Sequence, residues 1–249
     1  MPDITDKTNR LYNDLAWLWP LWGSVEEYRE ESELAVKLIR QYAEIKVRSL
    51  LDITCGGGKN MFNLKKHLEV YGLDISNAML DNARNLNPDC TFYQADMRNF
   101  DLKRQFDSIY LNDGIAYITS VPDLRRTFQC AFIHLRTGGV MICYAEFLKE
   151  NFVQNKTDST VSKTDKMEIT FVENNYDPDP SDDTFETTMI FLIRDKGELR
   201  IEHDRHVCGI FTMDAWRDSL IKTGFKVAEY SESASVFESP LFVCVKPPS

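Results

Sequence analysis

The chain has 249 residues, 43% of them hydrophobic, enough for one well-buried domain with room for an insertion. Asp and Glu total 39 against 29 Lys and Arg, a net charge of -10, which disfavours a nucleic-acid partner because a phosphate backbone would be repelled. No apolar run is long enough to span a bilayer and no secretory signal is read. The six cysteines (Cys55, Cys90, Cys130, Cys143, Cys208, Cys244) form no CxxC pair, so a cytoplasmic protein with reduced core thiols and no membrane partner is expected.

In chain order, residues 1–45 read as amphipathic helix with a break at 20–23 (Pro20, Leu21, Trp22, Gly23), the second piece setting Leu34, Ala35 and Leu38 on one face. From residue 47 short apolar runs alternate with helical patterns, predicting βαβ units around a parallel sheet and hence an α/β class. Strands are predicted over 47–54, 70–74, 91–94, 106–111 and 140–146, and a helix over 59–67. Ser76 caps a helix with Met79, Leu80, Ala83 and Leu86 at helical spacing. Ser120 as N-cap and Pro122 as first helical residue open another, its apolar face Leu124, Phe128, Ala131, Phe132 and Leu135, with Gly138 and Gly139 read as its stop. Residues 147–205 break this rhythm. There, 151–166 reads as a polar loop, and 167–171, 184–194 and 199–211 as antiparallel strands, with Lys196 and Gly197 as a hairpin turn. Thr212 caps a helix over 213–221, Gly224 ends it, and strands over 225–230 and 241–245 follow.

The chemistry-bearing signal is the run Leu50-Leu51-Asp52-Ile53-Thr54-Cys55-Gly56-Gly57-Gly58-Lys59-Asn60, a strand entering a glycine-rich turn before a helix. Small residues there let a backbone approach a ligand closely and leave amide N–H groups free. Asp74 ends the second strand, 22 residues after Asp52, where a carboxylate accepts both hydroxyls of a ribose. Asp96-Met97 follows the third strand, suited to an adenine amine and ring, and Leu111-Asn112-Asp113-Gly114 follows the fourth. All four groups fall at carboxyl ends of neighbouring strands, where open α/β sheets bind ligands.

These motifs resemble the class I S-adenosylmethionine-dependent methyltransferases, whose first motif reads approximately Asp-x-Gly-x-Gly-x-Gly. Thr54 departs from the usual small first residue. A closer resemblance, carried by Tyr12-Asn13-Asp14-Leu15 with Tyr28 and Glu31, by Gly114-Ile115-Ala116-Tyr117 and by His206-Val207-Cys208-Gly209-Ile210-Phe211-Thr212, is to small-molecule N-methyltransferases. Those act on nucleotide-linked aminosugars or belong to the glycine N-methyltransferase group. The resemblance implies a doubly wound, mostly parallel seven-stranded sheet with an antiparallel strand insertion. It divides the chain into a helical lid (1–46), a cofactor-binding core (47–146), an antiparallel substrate cover (147–211) and a helix and strands that complete the sheet (212–249). It implies S-adenosyl-L-methionine as cofactor, bound by Tyr12, Asp52, Thr54, Gly56, Gly58, Asp74, Ile75, Met79, Asp96, Met97, Leu111, Asn112 and Asp113. The partner is a small-molecule methyl acceptor, and a homodimer is admitted.

Methyl transfer from a sulfonium needs alignment and a dry cavity more than a strong base, but an amine must shed a proton before it attacks. Tyr117, His206 and Glu146 are the candidates to take it. Each has a plainer reading: Tyr117 closes the cofactor pocket, His206 is an ordinary strand histidine, Glu146 fixes a loop. The N-terminal aromatics Tyr12, Trp17, Trp19 and Trp22 are either a lid over the ligands or a stripe that packs the segment on the domain. His67, His134 and His203 have no metal-ligand spacing, so no metal is expected. Two other classes compete. A non-catalytic cofactor-binding protein stays open because of Thr54. A nicotinamide-dependent dehydrogenase is opposed by the missing third glycine of GxGxxG.

Overall fold

The computed structural model describes residues 9–230 and 241–248; what the sequence predicts for 1–8, 231–240 and 249 lies outside the described residues. The elements in order are α1 (Arg29–Tyr42), β1 (Ser49–Ile53), α2 (Lys59–Leu64), β2 (Glu69–Asp74), α3 (Asn77–Leu86), β3 (Thr91–Gln94), β4 (Phe106–Leu111), α4 (Val121–His134) and β5 (Leu135–Tyr144). Then come β6 (Lys156–Lys163), β7 (Met167–Tyr176), β8 (Thr184–Asp195), β9 (Glu198–Gly209), α5 (Met213–Thr223), β10 (Lys226–Tyr230) and β11 (Leu241–Val245).

Seven strands form one sheet in the order β10-β11-β5-β4-β1-β2-β3. β1 to β5 run parallel, and β11 pairs antiparallel with both β5 and β10. Leu51 and Ile53 of β1 share a core with Leu124 and Phe128 of α4 and Trp216 and Leu220 of α5, while Leu50 joins Val36 and Ile39 of α1, Met61 of α2 and Leu80 of α3. Helices thus cover both faces. Strands buried on both faces are mostly apolar, and the polar exceptions in β1 and β4 include Ser49, Asp107 and Ser108, which hydrogen-bond across the two strands. The chain turns from β1 toward β2 and β3 on one side, and β4 and β5 lie on the other, so the tips of β1 and β4 flank the point where strand order reverses.

The second sheet is antiparallel, in the order β6-β7-β8-β9. Ile169, Phe171, Met189, Phe191 and Ile193 of its strands pack against Leu11, Leu15 and Leu18 of the N-terminal segment, and the Trp22 ring lies 4.0 Å from that of Phe171. Phe185, Cys208 and Ile210 pack against Ala116, Tyr117, Phe147 and Phe152. The N-terminal segment therefore joins the second sheet to the rim of the first.

Four expectations are corrected. The N-terminal stretch before α1 forms two short 3₁₀ turns, Arg10–Tyr12 and Ala16–Leu21, rather than a helix. Pro20, inside the second turn, lacks the N–H that an α-helix would need there. Residues 156–163, read as loop, are edge strand β6; its pattern Lys-Thr-Asp-Ser-Thr-Val-Ser-Lys is almost wholly exposed, so no apolar alternation announces it. Gly138 and Gly139 do not stop α4: the helix ends at His134, and both glycines lie within β5, which starts at Leu135 and shifts register against β4. Pro122 takes the second helical position, after Val121, where its missing N–H is equally harmless.

Candidate active site

At the carboxyl ends of β1, β2, β3 and β4 lies a concave site with about 870 Å³ of atom-free space, part of it open to solvent. Tyr12, Asp52, Thr54, Gly56, Asp74, Ile75, Met79, Asp96, Met97, Asn112 and Asp113 all line it, as does Tyr117. Two expected residues do not. Leu111 points into the core and is fully buried among Ile53, Met97 and Ile109. Gly58 caps α2 with φ +79°, and a Cβ there would strike Asn87 Nδ2 at 2.6 Å, so its glycine serves helix packing rather than the cavity. Trp19, Tyr28, Lys59 and Asn60 also line the cavity, with Cys55, Leu73, Ser76, Ala95 and Gly114. Lys59 and Asn60 follow the glycine turn directly, the one signal by which sequence could have found them.

The turn itself is held by Asp74. Its Oδ2 accepts the Gly56 N–H at 2.8 Å and its Oδ1 accepts the Ser76 N–H at 2.8 Å, so the second strand tip fixes the first. Thr54 sits at φ +69°, a left-handed conformation costly for a β-branched residue. Gly114 makes room for it: a Cβ added at Gly114 would lie 2.4 Å from Thr54 Cβ. The departure from the usual small residue at position 54 is thus offset by a missing side chain at 114. Trp19 lies across Gly57, whose Cβ would fall 2.1 Å from Trp19 Cδ1. The Lys59 ammonium donates to the Trp22 carbonyl and stands 4.9 Å from the Trp19 ring centroid, and burial pulls it down to about 8.

Carboxylates dominate the electrostatics. Asp52 is 2% exposed, and burial, then the neighbouring charges of Asp74, Asp113 and Glu31, push it well above its ordinary range. Burial also raises Asp113 and Asp74, and it raises Glu31 to about 8 with help from Asp113. Glu31 accepts from Asn112 Nδ2 at 3.5 Å. Asp52 Oδ2, Asn112 Oδ1 and Trp19 Nε1 are buried without a hydrogen-bond partner. Asp96 differs: burial raises it, but the Arg98 guanidinium 2.5 Å away outweighs that and holds it below the usual range. Its two oxygens are engaged by Arg98, so a ligand amine would have to share them.

The other two proton-acceptor candidates lie behind or beside the cavity. The Tyr117 hydroxyl is 2.7 Å from that of Tyr12 and 2.6 Å from His206 Nδ1, and His206 itself is fully buried. Glu146 falls past the end of β5 and lines a second cavity with Phe152, Lys156, Asp158, Glu173 and Asn175. The two cavities meet the same hydrophobic cluster, Tyr117 on one side and Phe147 and Phe152 on the other. Among the described residues no group of three or more His, Cys, Asp and Glu is arranged to hold a metal, and no helix is long and apolar enough to cross a membrane.

Comparison with known proteins agrees with this geometry. Residues 50–139 match the family described as a methyltransferase domain. The chain is 26% identical over 213 residues, 84% of its length and 88% of the relative's, to dTDP-3-amino-3,4,6-trideoxy-alpha-D-glucopyranose N,N-dimethyltransferase of Streptomyces venezuelae. It is 26% identical over 210 residues, 84% and 82% of the two chains, to dTDP-4-amino-2,3,4,6-tetradeoxy-D-glucose N,N-dimethyltransferase of Saccharopolyspora spinosa. The fold superposes on crystalline DesVI of Streptomyces venezuelae with a TM-score of 0.82 at 24% identity, covering 96% of this chain and 98% of the other.

Proposed function

We propose that this chain, a class I S-adenosylmethionine-dependent methyltransferase, methylates the amine nitrogen of an aminosugar held between the strand tips and the second sheet. The single observation that carries the cofactor half is the excess of buried carboxyl groups around one unpartnered acceptor, Asp52 Oδ2. S-adenosylmethionine supplies an electrophilic methyl on a sulfonium and carries a second positive charge on its amino group. Its own carboxylate leaves it a net monocation with two cationic groups, to which Asp52, Asp113 and Glu31 are suited; Asp74 is suited to the ribose hydroxyls, with Ile75, Met79 and Met97 as apolar walls. The diphosphate of a nicotinamide dinucleotide would meet four carboxyl groups and one lysine already committed to Trp22. Gly56 lets the backbone approach, and Trp19 and Tyr12 cover the ligand from the N-terminal segment.

For the acceptor, the names of the two relatives supply the class: both act on the amine of a nucleotide-linked deoxysugar. The second cavity offers Glu146, Glu173 and Asp158 to an ammonium and hydroxyls, and Phe152 to a sugar face. Residues 147–211 then act as substrate cover and the N-terminal segment as lid. Tyr117 and His206 relieve the amine of its proton, leaving the nitrogen lone pair free to attack in line. The free thiols fit a reducing compartment such as the cytoplasm.

The test is calorimetry followed by turnover. S-adenosylmethionine and its demethylated product should bind and raise the melting temperature, and NAD should do neither. A dTDP-linked 3-amino or 4-amino deoxyhexose should then accept label from methyl-tritiated cofactor. Binding without any labelled amine would leave the cofactor assignment standing and overturn the acceptor.

A further inference from the structure

Behind Tyr117 the polar chain does not stop at His206. His206 Nε2 lies 2.7 Å from Asp204 Oδ2, and the same oxygen accepts the Leu11 N–H at 2.7 Å. Asp204 is 2% exposed and His206 not at all. Both project from the same face of β9, two residues apart, as a strand's period of two requires.

We propose that Asp204 is the positioning residue of the proton-removal chain: it fixes the His206 tautomer so that Nδ1 is the acceptor, and it ties that orientation to the N-terminal lid through Leu11. The proposal rests on the amine reading above. Its logic follows from the hydrogen-bond inventory. A carboxylate oxygen only accepts, so His206 carries its proton on Nε2 and leaves Nδ1 with a lone pair. Tyr117 O–H must then donate to Nδ1, and with that proton committed, Tyr12 O–H donates to the Tyr117 oxygen. One direction runs through the whole row, Tyr12 to Tyr117 to His206 to Asp204. The remaining lone pair of the Tyr117 oxygen is available at the cavity wall. When the acceptor arrives as an ammonium, an N–H bond breaks and its electron pair stays on nitrogen. The proton passes to the Tyr117 oxygen as the phenol proton passes to Nδ1, so Tyr117 remains neutral throughout. The imidazolium so formed faces Asp204, which removes the cost of a buried, unpaired charge. Burial holds Tyr117 well above its ordinary range, which disfavours a free phenolate and suits this concerted hand-over.

The groups facing His206 are few. Tyr117 and Tyr12 approach from the cavity side, Glu173 lies near from β7, Thr187 is its register partner on β8, and Asp204 and Cys208 flank it on β9. Arg10, on the adjoining segment, is spent on Glu202, Asp14 and the His203 carbonyl. Among the described residues Asp204 is therefore the one acid in hydrogen-bond contact with the imidazole.

The decisive variant is Asp204→Asn, which keeps size and, through its amide oxygen, the acceptor for His206 and Leu11, but removes the charge and the oxygen that accepts from the Arg205 N–H. Methyl transfer to a dTDP-linked 3-amino sugar should fall about 100-fold at pH 7. The deficit should shrink as pH rises and the free amine supplies itself. The affinity for S-adenosylmethionine should stay within about twofold, because Asp204 touches no cavity wall. A rate deficit equal at every pH, or none, overturns the proposal. Arg10→Ala cuts the neighbouring tether without touching the row and should leave the pH profile in place. Should Asp204→Asn fail to fold, ¹⁵N NMR of the wild-type imidazole decides: His206 protonated on Nε2 supports the assignment, and protonation on Nδ1 sinks it. The NMR result stands whether or not any aminosugar is methylated, and absence of turnover by the wild type would count against the amine reading alone.

Discussion

The strand-tip cavity and the second sheet treat their polar groups in opposite ways. Around the cavity, Asp52 Oδ2, Asn112 Oδ1 and Trp19 Nε1 are buried without partners. In the second sheet, Asn175 bonds Glu173 and Thr187, Asn174 bonds Asn155 and Thr157, and Arg205 pairs with Glu186. Among the described residues no buried side-chain polar atom of β6 to β9 lacks a partner. Buried polar atoms left over are costly unless a ligand meets them. Other unpartnered atoms, among them Tyr110 Oη, Trp216 Nε1 and Ser219 Oγ, lie away from the cavity, but those at the cavity are within reach of a ligand, whereas the second sheet satisfies its own polar groups.

The strongest way to break this contrast is to empty the second sheet's core. Phe191 is fully buried between the sheet and the Leu11, Leu15 and Leu18 side chains. Phe191→Ala should cost about 3–5 kcal/mol of stability. Turnover should drop far more than cofactor affinity, since the lid loses its bed while the strand tips keep their geometry; equal losses in both would show that the two regions are not separable. Next in size is Asp74→Ala. It strips the acceptor from two N–H groups, Gly56 and Ser76, each bond to a charged group contributing about 1.5–3 kcal/mol, so cofactor affinity should fall at least about 100-fold by calorimetry.

A pH series sharpens the comparison without touching the fold. Glu31 ionises near 4.5 when unfolded and near 8 when folded, mainly because it is buried and secondly because Asp113 is close. The folded chain holds a proton that the unfolded chain has released, so stability of the ligand-free protein should fall as pH rises from about 4.5 to about 8. Glu31→Gln should flatten that part of the melting curve. A cationic cofactor favours the ionised carboxylate, so its affinity should rise with pH across the upper half of the same window, and less so in the variant. Affinity that falls with pH there would contradict a positively charged ligand.

What sequence could reveal followed burial. β11 was legible to the residue because its unbroken apolar run marks a strand inside a sheet; β4, with Asp107 and Ser108 among its apolar residues, and the edge strand β3, with Phe92 and Tyr93 between polar ends, were legible by their aromatic and β-prone residues. The edge strand β6 was not, since solvent surrounds it and Thr, Ser and Lys serve there as well as anything apolar. In the site, Asp52, Asp74, Asp96 and Asp113 could be placed because strand ends in an open α/β sheet share one rim. Leu111 was misassigned because a strand's last residue faces either rim or core, and only the register decides. Asp204 and the overlay of Trp19 on Gly57 join residues far apart in sequence, 193 positions in the case of Leu11 and Asp204, where no local pattern speaks.

The smallest predicted effect returns to the two regions through one backbone conformation they share. Thr54 in the cavity turn and Lys196 in the β8–β9 hairpin both adopt positive φ, +69° and +50°. At Lys196 the demand is that of a two-residue hairpin loop with Gly197 at +90°, which matches the twist of the strands, bonds through its backbone to Lys166 and Arg194, and lies outside the cavity lining. At Thr54 it is imposed by a turn whose neighbours, Gly56 and Gly114, sit at the ligand cavity. A left-handed non-glycine residue costs about 1–3 kcal/mol, and glycine's extra chain entropy takes back about 0.5–1 kcal/mol. Thr54→Gly and Lys196→Gly should therefore each stabilise the chain by about 1 kcal/mol, a rise of roughly 2–4 °C in melting temperature for a chain of this size. They should part company in cofactor binding: Lys196→Gly leaves it unchanged, whereas Thr54→Gly removes the side chain lodged against Gly114 and loosens the turn. Strain at Thr54 that could be relieved with no change in cofactor affinity would mean that the turn's shape is a by-product of packing and not part of the site.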